Sequence, residues 1–266
     1  MKASSMGAEI LMIGTELLLG QIEDTNAGYI SRALAAKGIN LYWKTTVGDN
    51  HARICEALER GLDRSDAVLC SGGLGPTQDD ITRECVAEVL AAPLEYHEDL
   101  FQVIVERFRH RNRPLSDNNR RQAMLPRGAA PIYNPKGTAP GLIAECARGV
   151  VVCMPGVPIE LHNMLDEVVI PYLRWKFGIG DTIFYRVLKV YGMGESRVDA
   201  AMGDLIAVCE NPTVGLLASP DAVRVRIAAR AADRVMAEAL IAPVAEEVQR
   251  RLAPLASGME FEADKE

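Results

Sequence analysis

Several common signatures are missing from this 266-residue chain. No apolar run approaches the ~20 residues of a membrane-spanning helix, so none is expected. Six cysteines occur without a C-x-x-C pair: Cys55, Cys70, Cys85, Cys146, Cys153 and Cys209. Most sit in apolar segments and read as buried free thiols, not a disulfide or zinc framework. The four histidines, His51, His97, His110 and His162, show no metal-ligand spacing and no serine or cysteine nucleophile partner. Positive charge is not in excess: the formal net charge is −7, against a general nucleic-acid or anionic-membrane binder. G-x-G-x-x-G and G-K-[ST] are both absent, which excludes the dinucleotide fingerprint and the P-loop. Met1-Lys2-Ala3-Ser4-Ser5 is short and polar, so no secretory leader is expected, Met6 is read as a candidate alternative start, and the expected compartment is the cytoplasm; no internal repeat or low-complexity tract is seen.

What is present is an ordinary globular balance, 48% apolar and 24% charged, with one unusual loop. Ser71-Gly72-Gly73-Leu74-Gly75-Pro76-Thr77-Gln78-Asp79-Asp80 follows the apolar run Ala67–Cys70 and precedes the amphipathic segment Ile81–Leu90. Strand, glycine turn and helix in that order present backbone N–H groups to an anion. Two carboxylates at its mouth call for a bridging cation. The bland alternative is a capping box, with Thr77 and Asp80 serving only the helix start.

Strands and helices alternate over the first half. Strands are predicted at Glu9–Ile13, Ile39–Val47 and Ala67–Cys70, with helices at Asn26–Lys37 and Ala52–Arg64 between them. This βαβαβ order implies a parallel sheet with helices on both faces and a ligand rim at the strand C-termini. Further helices are expected at His97–Arg111 and Ser116–Met124. A hairpin follows at Leu142–Cys146 and Val150–Cys153, then a helix from Ile159 to about Phe177. Gly178-Ile179-Gly180 reads as a domain boundary, and the βαββα order after it as a small α+β module. The expected domains are 8–177 and 181–253, with a loose tail over 254–266.

Four loops converge on the predicted rim. Glu16 follows the first strand, Asp24-Thr25-Asn26 precedes the next helix, Asp49 follows the second strand, and Asp79 with Asp80 follow the third. Asp24 or Thr25 is read as a helix cap. Oxygen donors of this kind suit a hard divalent cation that also bridges phosphates.

Five blocks resemble the competence/damage-inducible CinA family: Ala8 to Gln21, Val47-Gly48-Asp49-Asn50, Ser71 to Asp80, Asn134 to Gly141, and Met154-Pro155-Gly156-Val157-Pro158. Tyr191 to Ser196 resembles the entry to that family's small middle domain. The first domain is similar to the molybdopterin-binding domains of the MogA, MoaB and gephyrin group. The resemblance therefore implies an α/β, three-layer, mostly parallel sheet plus a small α+β domain. In the wider group the glycine loop and two acids mark the pterin-phosphate site; those acids correspond here to Asp49 and Asp80. Full-length members carry a C-terminal nicotinamide-nucleotide deamidase domain, which this chain is expected to lack.

The resemblance implies metal-dependent hydrolysis of a diphosphate bond in ADP-ribose or an FAD-like compound, releasing AMP. In that reading Gly72, Gly73 and Gly75 cradle one phosphate through their N–H groups, beside Thr77. Asp49, Asp79 or Asp80 holds the metal, and Glu16 orients water or ligates metal. Thr138 and the N–H groups of Gly137 to Gly141 cap the second phosphate, with Lys136 nearby, and Asn26 contacts the ribose or base. Expected cofactors are magnesium, manganese or cobalt, with a monovalent cation beside it. The alternatives are a molybdopterin-binding module for molybdenum-cofactor biosynthesis, or a non-catalytic oligomerising partner of a separate deamidase. Expected partners are a small nucleotide or pterin and further copies of the chain, as dimer or trimer, but no membrane and no nucleic acid. The basic run Arg107, Arg109, His110, Arg111 and Arg113, continued by Arg120, Arg121 and Arg127, is read first as a solvated helix face; the alternatives are capture of an anionic substrate, from a neighbouring subunit included, and a nucleic-acid patch, for which the stacking aromatics are missing.

Overall fold

The computed structural model describes residues 6–112, 114–219 and 221–262. The chain forms two compact units, the first running to Ile179 apart from Ala36–Gly38, the second starting at Gly180.

The first unit begins with β1 (Gly7–Ile13), α1 (Thr15–Leu18), α2 (Thr25–Ala36), β2 (Asn40–Val47), α3 (His51–Arg64) and β3 (Ala67–Ser71). After the glycine loop come α4 (Thr82–Val89), β4 (Leu94–Tyr96), α5 (Glu98–His110), a 3₁₀ turn over Asp117–Ala123, β5 (Met124–Pro126) and β6 (Ala130–Ile132). The hairpin β7 (Gly141–Cys146) and β8 (Gly149–Met154) leads into α6 (Pro158–Met164) and α7 (Ile170–Lys176), joined by a π-helical turn over Leu165–Val169.

The main sheet has the order β2-β1-β3-β8-β7-β6. β2, β1, β3 and β8 are parallel, and β7 runs antiparallel to both neighbours. Side-chain alternation splits the core between the two faces. Ala8, Ile10 and Met12 of β1 join Ile30 and Leu34 of α2 with Leu161 and Leu173 of α6 and α7. Leu11 and Ile13 join Ile54 and Leu58 of α3, Val86 of α4 and Leu100 of α5. This is the three-layer α/β fold expected.

The Leu165–Val169 turn has a physical reason in the apolar spacing. Buried Leu161 and Leu165 are followed by Val169 and Ile170, while Val168 is exposed. An α-helix stripe would continue at i+3 and i+4; here it continues at i+4 and i+5, and the wider turn absorbs the extra residue.

Short strands β4, β5 and β6 are not visible in the sequence pattern, each having three residues. β4 pairs with β5, and β6 closes the edge of the main sheet on β7.

The second unit comprises β9 (Thr182–Tyr191), α8 (Glu195–Val208), β10 (Thr213–Ala218), β11 (Val223–Ala231), α9 (Arg234–Leu252) and β12 (Gly258–Phe261). Its antiparallel sheet has the order β10-β11-β9-β12. Leu188, Val190, Val225 and Ile227 pack against Val198 and Met202 of α8 and Ile241 and Val248 of α9. The expected loose tail over 254–266 is corrected here: Gly258–Phe261 pairs with β9, and Glu262 N–H donates to the Val187 carbonyl at 2.8 Å. The edge of β9 supplies backbone partners, and Glu260 and Glu262 face Lys189 and Arg224. Residues 263–266 of that tail lie outside the described residues.

Candidate functional site

A cavity of about 460 Å³ opens at the C-terminal ends of β1, β3 and β8. The parallel order puts the loops after these strands on one rim, where open α/β sheets bind ligands. Of the expected site residues, Glu16, Asn26, Asp49, Gly72, Gly73, Gly75, Asp79, Asp80 and Thr138 line it. Thr77, Lys136, Gly137 and Gly141 do not, and each has another role in the surrounding loops.

The glycine loop is shaped by close backbone approach. Gly72 has φ 109° and a Cβ there would lie 2.1 Å from the Ile13 carbonyl oxygen. Gly73 has φ 67°, and its Cβ would meet Thr82 Oγ1 at 2.1 Å. Only glycine meets both demands. The Gly72 N–H is spent on the Met154 carbonyl at 3.0 Å, so it extends the sheet and does not face a ligand. That corrects its expected role and leaves Gly73 and Gly75 as the loop's remaining glycine donors.

The Thr77–Asp80 pair forms half a capping box, but not at a helix start. Asp80 Oδ2 accepts from Thr77 N–H at 2.9 Å and from the Thr77 hydroxyl. The helix begins later, at Thr82, and its N-cap Ile81 has no side-chain cap bond. Asp80 therefore holds a turn whose second oxygen is left for other partners. Thr77, first, and its own backbone N–H hold the exposed Asp79 carboxyl below the usual carboxylate range.

Arginines do the bracing, and the sequence reading missed this. Arg83 is 1% exposed and donates to the Leu74 and Gly75 carbonyls, both at 2.7 Å. Burial lowers its pKa, opposed by Glu84 and Asp80. Arg121 donates to the Thr77 carbonyl at 2.6 Å, to the Asp80 carbonyl at 3.3 Å and to Glu84 at 2.8 Å. Arg107 donates to the Pro135 carbonyl at 2.7 Å, and Arg111 to the Lys136 carbonyl. Arg120 lies over the rings of Tyr96 and Phe101. The basic run is thus not a plain solvated face: three of its members, Arg107, Arg111 and Arg121, donate to carbonyl oxygens of two cavity loops. Arg113 lies outside the described residues.

The second loop is organised by Asn134, which is 4% exposed. Its Oδ1 accepts from Lys136 N–H at 3.0 Å and Gly137 N–H at 2.7 Å; its Nδ2 donates to the Ala139 carbonyl and to Glu160 Oε2. The Gly137 N–H is therefore committed within the loop, which corrects its expected phosphate contact. A Cβ at Gly137 would overlap Glu160 at 2.1 Å, so glycine makes room for that acid. Gly141 begins β7, where a Cβ would lie 2.6 Å from the Cys153 carbonyl oxygen; its role is also in packing. Glu160, in the first turn of α6, lines the cavity and had no sequence assignment. The signal available was its position two residues after Pro158, at a helix start facing the rim.

Asn26, 6% exposed, donates to the Gly156 carbonyl at 2.7 Å, while its Oδ1 has no partner among the described residues. Buried amide oxygens are normally satisfied, so this acceptor suits a ligand donor. Asp24 is the cap: its Oδ1 accepts from Ala27 N–H at 2.9 Å.

Seven lining residues carry carboxylates: Glu16, Glu23, Asp24, Asp49, Asp79, Asp80 and Glu160. Among the described residues, no lysine, arginine or histidine lines the cavity. Each carboxylate within 4 Å of a phosphate oxygen costs about 4 kcal/mol at an effective dielectric of 20. The all-oxygen donor set fits a hard divalent cation. Asp49, Asp79 and Asp80 are nevertheless not a preformed ligand trio. Among the described residues, the one grouping of three metal-capable side chains with ligand atoms within 4.8 Å of one another is His51, Cys55 and Cys85. No helix of the described residues is long and apolar enough to cross a membrane.

Comparison with known proteins places this fold in a family. A family model described as a probable molybdopterin binding domain matches residues 9–175, and one described as the damage-inducible protein CinA KH domain matches residues 185–256. A CinA-like protein of Gloeobacter violaceus is 47% identical over 239 residues, 89% of this chain and 56% of its own length. One from Kosmotoga olearia is 40% identical over 98% of this chain and 63% of its own length. This chain thus spans about three fifths of the length of those curated relatives. A solved structure described as the protein CinA with unknown function, from Thermoplasma acidophilum, is 34% identical, with a TM-score of 0.58. It matches 62% of this chain and 96% of that one. The chain belongs to the CinA family.

Proposed function

We propose that the rim cavity binds a diphosphate-bearing nucleotide together with a divalent cation and hydrolyses the phosphoanhydride, with ADP-ribose or an FAD-like compound as substrate class and AMP as a product. One observation carries the reading: among the described residues, the cavity lining holds seven carboxylates and no cationic side chain. An anionic ligand needs a counter-charge there, and a divalent cation supplies it. Asp49 with Asp79 or Asp80 would hold it, and it would neutralise phosphate charge and lower the pKa of bound water. The chain's own groups do the rest. Gly73 and Gly75 N–H groups position one phosphate, and Thr138 the other. Asn26 Oδ1 accepts from the ribose or base, and Glu16 orients the attacking water.

A second reading is a molybdopterin-binding module, supported by the family model over residues 9–175. A single pterin phosphate uses the same glycine loop but leaves the Thr138 side of the rim unoccupied. The deciding experiment incubates the chain with ADP-ribose, FAD and NAD in magnesium, manganese and cobalt, and assays AMP. Cation-dependent AMP release, lost in a folded Asp80→Asn variant, is expected. No AMP from any substrate, with tight pterin binding, sinks the hydrolase and leaves the second reading.

A further inference from the structure

His51, Cys55 and Cys85 form a second grouping away from the rim's carboxylates, and the proposed function makes no use of it. His51 and Cys55 stand one helical turn apart at the start of α3, and Cys85 faces them from α4. His51 Nδ1 lies 3.8 Å from Cys55 Sγ, and the ligand atoms of all three lie within 4.8 Å of one another. With Zn–S of about 2.3 Å and Zn–N of about 2.0 Å, ligand–ligand edges in a tetrahedral site are roughly 3.5–3.8 Å. The grouping is already close to that size. The opposite ring nitrogen, His51 Nε2, lies 3.5 Å from Glu88 Oε2, one turn beyond Cys85 on α4. Zinc-bound histidines are held in this way, with one nitrogen on the metal and the other donating to a carboxylate.

We propose that His51, Cys55 and Cys85 bind a thiophilic divalent cation of the zinc type, with Glu88 fixing the histidine tautomer. The site has three protein ligands and one position open to water, since His51 is exposed while Cys55 and Cys85 are buried. Two thiolates and an imidazole prefer zinc to magnesium, whereas the rim cavity has only oxygen donors. Binding exchanges the two thiol protons for the cation and involves no oxidant. The thiols' hydrogen bonds are long and weak: Cys85 Sγ donates to the His51 carbonyl at 3.7 Å, and Cys55 Sγ donates to the Cys85 carbonyl at 4.0 Å beside His51 Nδ1 at 3.8 Å. The bound cation would tie α3 to α4, the helix that follows the glycine loop.

The test is a cobalt titration of the reduced, metal-stripped full chain, followed by displacement with zinc. A thiolate-to-cobalt charge-transfer band from one band-forming cobalt per chain, bleached by zinc, is expected. Oxygen-only binding at the rim gives no such band, so this result stands or falls separately from the hydrolase. Glu88→Gln should weaken the band-forming site about 10- to 100-fold. Cys55→Ser should abolish the band, and the surface variant His51→Gln should weaken it in a chain with unchanged circular dichroism. Cobalt binding without the band overturns the proposal. So does unchanged affinity in His51→Gln, or a Cys55–Cys85 disulfide that forms in air despite excess zinc.

Discussion

Thr15 and Asp49 hold each other by reciprocal hydrogen bonds: Thr15 N–H donates to Asp49 Oδ2 at 2.8 Å, and Asp49 N–H donates to Thr15 Oγ1 at 3.0 Å. The pair ties the loop after β1 to the loop after β2. It also fixes one carboxylate oxygen of a residue that lines the cavity.

That geometry separates structure from chemistry at one position. Asp49→Asn keeps an oxygen acceptor for the Thr15 N–H but removes the charge. Its urea-unfolding stability should stay within about 0.5 kcal/mol of the parent, while cation-dependent turnover falls by about 100-fold or more. Thr15→Ala should do the reverse, losing about 1 kcal/mol with a smaller effect on turnover. Equal loss of turnover in both variants would mean that Asp49 acts only through loop position.

Arg83 should be a stability residue. Arg83→Met leaves the Leu74 and Gly75 carbonyls without their buried donor, at a cost of about 2–4 kcal/mol. Arg83→Lys offers one compact donor for two carbonyls and should fall between. Chemical denaturation reads both, and a Met variant within about 0.5 kcal/mol of the parent would refute the bracing role.

The Tyr29 phenol donates to Asp166 Oδ2 at 2.5 Å, and its ring stacks on His162 at 3.5 Å between centroids. The Asp166 bond, first, and burial push its pKa up to about 12. Because the folded value is raised, the stability it adds is complete below about pH 10, the unfolded phenol value, and is lost as pH climbs to 12. Tyrosinate absorbance should show Asp166→Asn returning one tyrosine towards pH 10. A titration unchanged by that substitution would assign the raised phenol elsewhere.

The order of elements was legible because apolar spacing and glycine punctuation are local. The glycine loop and the rim acids Glu16, Asp24, Asp49, Asp79 and Asp80 follow from chain order alone, once strand, loop and helix are recognised, whereas Glu160 and the choice of Asp24 over Thr25 as cap do not. The braces were not legible. Arg83 looks like any polar residue in an amphipathic helix, and nothing local says that its guanidinium folds back onto Leu74 and Gly75. Arg107 and Arg111 reach Pro135 and Lys136 across more than twenty residues of chain. His51 and Cys55 have helical spacing, but their third member, Cys85, comes from another helix thirty residues on. β12 was hidden because its pairing partner, β9, is distant in the sequence, and a four-residue segment gives little pattern of its own.

The wide turn at Leu165–Val169 has a meaning for chain length. Glu160 at the rim and Leu173 in the core ride on one continuous rod, yet the surplus residue between them belongs to neither. Losing a single residue there would relax the rod to regular pitch while both ends keep their facing; losing one anywhere else would swing one end by about 100°. The cavity wall and its anchor are thus insulated from each other against a single-residue deletion at this one joint.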